Sequence, residues 1–111
     1  MAKEKDILNK IAEVVKSRNY RVSGKVAASL VGISRSRLYK LFQSNYHCGF
    51  KDYIDKQRLI KAKMLLRVNE LPICKIANAV GFALQKSFSR WFKRKIGQSP
   101  VKYQYRLQRQ K

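Results

Sequence analysis

Two stretches of this chain carry nearly the same pattern. Residues 28–53 read ASLVGISRSRLYKLFQSNYHCGFKDY, and residues 77–103 read ANAVGFALQKSFSRWFKRKIGQSPVKY. Ala28-x-x-x-Gly32 recurs as Ala77-x-x-x-Gly81, and Ile33 is matched by Phe82. Beyond the turn the offset grows by one residue. Leu38, Leu41 and Phe42 then correspond to Phe88, Trp91 and Phe92, while His47, Phe50 and Tyr53 correspond to Gly97, Pro100 and Tyr103. Apolar residues three and four apart share one side of a helix. Gly32 supplies the positive φ of a tight exit turn, and Ser34 is placed to cap the helix that follows. Two short helices around a glycine-containing turn are a helix-turn-helix signature. Two copies are too few for a solenoid, which needs about three or more, so a pair of lobes is expected.

The flanking segments fit an all-α fold of two helix-turn-helix lobes, about seven helices in all. Residues ~5–18 place Ile7, Leu8, Ile11, Val14 and Val15 on one stripe. Ser23 is a candidate N-cap for a short helix carrying Val26, Ala27 and Leu30. A longer helix over 50–67 has apolar positions spread around its axis, as expected of an element that joins the two cores. Asn69-Glu70-Leu71-Pro72 breaks the pattern, and Pro72 is suited to opening the next helix. The expected organisation is a single unit over 1–111, with lobes at 5–48 and 70–108 and a connecting helix at 50–67. His47 takes the place that Gly97 holds in the second copy, so a helix C-cap is expected there, not a ligand or a catalytic base.

The chain has 111 residues, about one domain's length, and 26 Lys+Arg against 6 Asp+Glu give a net charge of +20. Residues 1–55 hold 11 basic and 5 acidic side chains, residues 56–111 hold 15 and 1, and no acid follows Glu70. Such a surplus points to a polyanionic partner. No stretch approaches the roughly 18 apolar residues of a membrane span, and no secretory signal opens the chain, so a cytoplasmic, nucleoid-associated protein is expected. Cys48 and Cys74 lie far apart with no C-x-x-C, which argues against a disulfide framework or zinc site, and each is expected to be a small buried hydrophobe. Catalysis is not expected: no spaced carboxylate pair, nucleophile elbow or Gly-rich phosphate loop is present. No metal and no cofactor is called for.

A helix-turn-helix lays its second helix in the major groove, with the amino-terminal residues at the base edges. In the first copy the outward residues are Arg35, Ser36, Tyr39 and Lys40. In the second they are Leu84, Gln85, Lys86, Ser87, Ser89, Arg90, Lys93 and Arg94. Arg and Lys match guanine O6/N7, Gln matches adenine N6/N7, and Ser serves either. Lys61, Lys63, Arg67, Lys95, Lys102, Arg106, Arg109 and Lys111 are candidates for phosphate contacts, which set register. Tyr53 and Tyr103, equivalent in the repeat, are expected in the cores, whereas Tyr39 faces outward.

In these motifs the chain resembles the DNA-binding domain of the AraC/XylS family of bacterial transcription regulators. The match runs through Ala28-x-x-x-Gly32-Ile33-Ser34-Arg35-x-x-Leu38-x-x-Leu41-Phe42 and Tyr53-Ile54-x-x-x-Arg58-Leu59-x-x-Ala62-x-x-Leu65-Leu66. It is most diagnostic from Ile76 to Tyr103, and it covers about residues 7–107. No sensor domain is expected, and the chain is similar to the small stand-alone activators of the MarA and SoxS type. That resemblance implies a monomer binding an asymmetric site, with two recognition helices in successive major grooves about 34 Å apart. It also implies contact with RNA polymerase through its α or σ subunit, and no small-molecule effector. The family's base-reading slots fall on Ser36, Tyr39 and Lys40, then on Gln85, Lys86, Ser87 and Arg90. Backbone contacts are expected from Arg35, Arg37, Lys61, Lys63, Arg67, Lys93, Arg94 and Lys102. This chain differs in having Ser36 where the small activators place Trp, Ala83 and Leu84 in place of polar cap residues, and Lys86 in a slot often held by Gln. A sequence-indifferent nucleoid or packaging protein is the alternative. It calls for evenly scattered basic residues, against which the ordered repeat and short polar faces stand.

Overall fold

The computed structural model describes residues 3–68 and 71–109. Seven helices run through the described residues in the order α1 (Glu4–Ser17), α2 (Gly24–Val31), α3 (Arg35–Tyr46), α4 (Phe50–Val68), α5 (Ile73–Ala79), α6 (Gln85–Ile96) and α7 (Pro100–Arg109). Of the 69–72 break, Asn69 and Glu70 lie outside the described residues. The chain divides into two compact units, Met1–Lys56 and Gln57–Lys111, with the boundary inside α4.

In the first unit α1 buries Ile7, Ile11 and Val15, a strict i, i+4, i+8 stripe. Glu4 and Asp6 in its first turn and Lys16 in its last complement the helix dipole. The chain leaves α1 through two successive left-handed residues, Asn19 at φ 56° and Tyr20 at φ 63°, and this turn delivers the Tyr20 ring into the core. The Ser23 hydroxyl accepts a hydrogen bond from the Val26 amide at 3.2 Å, and that of Ser34 accepts from the Arg37 amide at 3.1 Å. Each such cap contributes about 1 kcal/mol. The short helix α2 buries Ala27 and Ala28, not Val26 and Leu30, which are exposed. α2 lies against α1 and α3 through the side that carries Ala27 and Ala28, so Val26 and Leu30, four apart on another side, turn outward. Leu38, Leu41 and Phe42 of α3 complete the core with Tyr53 and Ile54 from the first half of α4.

In the second unit Ala62 and Leu66 of α4 meet Ile76 and Ala77 of α5 and Phe88, Trp91 and Phe92 of α6. Not every apolar position of α4 is buried. Ile60 is 61% exposed, because residues two apart do not share a helix face and its neighbour Ala62 is the one that faces the core. Pro72 stands one position earlier than expected, as the N-cap of α5, where its missing N–H is equally harmless. The Arg58 guanidinium lies 5.1 Å from the Phe82 ring centre, a cation–π contact. The Gln104 amide of α7 donates to the Leu66 carbonyl at 3.2 Å, satisfying one of the open carbonyls at the end of α4.

The repeat in the sequence extends to individual hydrogen bonds. The Ile33 amide donates to Ala28 O at 2.9 Å, and that of Phe82 to Ala77 O at 2.9 Å. Phe42 meets Tyr53 edge-on at 5.0 Å between ring centres, and Phe92 meets Tyr103 likewise at 5.4 Å. The exit of α3 is His47 at φ 57°, and that of α6 is Gly97 at φ 93°, so His47 takes the left-handed C-cap expected of it. Cys48 packs against the first core, but Cys74, expected to be buried, is exposed in the first turn of α5. It shares the exposed side of α5 with Lys75 and Asn78, while Ile76 and Ala77 are buried and Ile73 packs against the second core.

Candidate nucleic-acid interface

The core-facing residues of α3 and α6 dictate which residues are left for solvent. With Leu38, Leu41 and Phe42 buried, Arg35, Ser36, Arg37, Tyr39 and Lys40 are all exposed, and Tyr39 is 63% exposed. Ser36, Tyr39 and Lys40 stand at i, i+3, i+4 and form one face. On α6, burial of Phe88, Trp91 and Phe92 leaves Gln85, Lys86, Ser87 and Arg90 exposed. Ser89, expected outward, is half-buried. Each base-reading residue expected from the sequence is therefore free of its own core.

The two faces differ in charge. Arg90, Lys93 and Arg94 line one shallow concavity on α6, at i, i+3, i+4, where like charges repel unless an anion lies among them. The acid-free sequence after Glu70 offers nothing local to neutralise them. On α3 a cleft is lined by Ser34, Ser36, Arg37, Lys40 and Ser44, and also by Glu4 of α1. Glu4 was not legible as part of this site. It lies some thirty positions away in sequence, and the core that α1 shares with α3 brings it there.

The backbone candidates are dispersed. Arg67 and Lys102 are exposed, whereas Lys61 and Lys63 of α4 are half-buried. Being two residues apart, Lys61 and Lys63 lie on different faces, while Lys63 and Arg67, four apart, share one. Lys95 and Arg106 are exposed; the Arg109 side chain and Lys111 lie outside the described residues. No helix among the described residues is long and apolar enough to cross a membrane.

The helix-turn-helix domain family matches residues 27–106. The chain is 34% identical to the regulatory protein SoxS of Escherichia coli K12 over 107 residues, covering 96% of this chain and 100% of SoxS. It is also 34% identical to the Msm operon regulatory protein of Streptococcus mutans over 106 residues, covering 94% of this chain but only 38% of that protein. Among solved structures, the DNA-binding domain of the global transcriptional factor AdpA, crystallised with a target DNA, superposes with a TM-score of 0.82 over 95% of both chains, at 19% identity. This last likeness is one of fold.

Proposed function

This chain belongs to the AraC/XylS family of helix-turn-helix transcription regulators, and from that premise we propose that it activates transcription as a monomer bound to an asymmetric DNA site. Ser36, Tyr39 and Lys40 of α3 read bases in one major groove, and Gln85, Lys86, Ser87 and Arg90 of α6 read them in the next. Arg35, Arg37, Lys61, Lys63, Arg67, Lys93, Arg94 and Lys102 hold the phosphates and set the register. RNA polymerase, through its α or σ subunit, is the partner that turns binding into activation. The observation that carries this reading is the repeated turn followed each time by a helix with an apolar inner face and an exposed polar, basic outer one. SoxS, which the chain spans in full, is itself a regulatory protein.

Two substitutions separate reading from positioning. Arg90→Ala should weaken binding to the preferred duplex by about 1–3 kcal/mol and relax the preference at one base pair. Lys63→Ala should weaken all duplexes alike and lower the salt slope by about one. Titrations of matched and scrambled duplexes over a salt series measure both. If Arg90→Ala behaves as Lys63→Ala does, the assignment of α6 to base reading fails.

A further inference from the structure

The large apolar side chain most exposed among the described residues stands at the tip of the second reading helix. Leu84 is 64% exposed and forms the N-cap of α6, with extended backbone at φ −120° and ψ 134° and no side-chain hydrogen bond. Its counterpart in the first copy is Ser34, whose hydroxyl caps α3. At Leu84, then, the chain forgoes a cap and leaves an isobutyl group in water. The second core does not use it, since Phe88, Trp91 and Phe92 fill that side of α6. Ala83, Gln85, Lys86 and Ser87 beside it are exposed as well. The amino-terminal residues of such a helix lie against base edges, and the one apolar group that a base pair presents in the major groove is the thymine C5-methyl.

We propose that Leu84 is a specificity-determining residue that packs on the C5-methyl of a thymine in the half-site read by α6. The inference rests on the DNA-reading role proposed above. It adds an apolar contact to the polar ones of Gln85 and Arg90, and it accounts for a leucine where the repeat elsewhere has serine.

The test uses the duplex preferred by the full chain, with each thymine replaced in turn by deoxyuridine, which removes the methyl and keeps every base-pairing group. At one position the wild-type protein should lose about fourfold in affinity, the effect of one buried methyl-sized group. Leu84→Ala and Leu84→Ser should bind the thymine and deoxyuridine forms of that duplex equally. Arg90→Ala should keep the methyl preference. Leu84→Ser restores a capping hydroxyl, so its thermal midpoint should equal or exceed the wild-type value, which separates lost reading from lost folding. A wild-type protein indifferent to every thymine methyl, or a methyl effect that survives in both Leu84 variants, overturns the proposal. Indifference to DNA sequence altogether would overturn the reading beneath it as well, and is recognised by equal binding to scrambled duplexes.

Discussion

Tyr53 illustrates what a single residue contributes to the scaffold. Its ring stacks on Tyr46 at 5.1 Å and meets Phe42 edge-on at 5.0 Å. Burial raises the Tyr53 phenol above its ordinary pKa, and the nearby phenols of Tyr46 and Tyr20 raise it further. Burial raises Tyr20 too. A raised folded pKa means that the native state holds these protons more tightly than the unfolded chain does. The associated stability is complete below the ordinary tyrosine pKa of about 10 and is lost as pH rises through the folded value. Thermal midpoints measured from about pH 9 upward should therefore fall less steeply in Tyr53→Phe than in wild type; parallel curves would contradict this. The core role of Tyr53 was legible in the sequence from the repeat that pairs it with Tyr103. Tyr20 was not, because it reaches the core only through the left-handed turn at Asn19 and Tyr20, and neither residue type announces that geometry. Cys74 misled for a related reason: residue type favours burial, but a seven-residue helix has room for few buried positions.

At the scale of elements, the two copies share a design and differ in their caps. Ser23 and Ser34 cap α2 and α3, whereas Pro72 and Leu84 make no side-chain cap bond to α5 and α6. Ser34→Ala should destabilise the protein by about 1 kcal/mol, read as a lower urea midpoint, with Leu38, Leu41 and Phe42 still packed. An unchanged midpoint would mean that the Arg37 amide finds water just as easily. Helix faces, caps and exits were legible because periodicity and capping are local properties of a few residues. The exposed faces of α3 and α6 followed directly, since naming the buried side names the exposed one. What was not legible depends on contacts between elements: the outward turn of Val26 and Leu30, the exposure of Ile60, the Gln104 bond to the end of α4, and the arrival of Glu4 beside Ser36.

For the whole molecule the governing quantity is charge, and it is uneven. A charge of +20 favours any DNA through phosphate contacts and counterion release, so on the proposed reading selectivity depends on what weakens the indifferent mode. If α3 reads DNA as proposed, Glu4, in the cleft with Ser36, Arg37 and Lys40, repels phosphate there. Glu4→Gln should raise affinity for scrambled duplexes more than Glu13→Gln does, although Glu13, exposed on the same helix, removes the same charge. Equal effects in a filter-binding series would reduce Glu4 to its share of the net charge. The central claim is that one chain reads DNA with both helices, and selection from a randomised duplex library tests it most directly. At about 150 mM salt, where counterion-driven binding is suppressed, the account predicts two short boxes without palindromic symmetry, about one helical turn apart. A palindrome would mean that two copies read the site, and the absence of any enriched motif would mean that charge alone holds this protein to DNA.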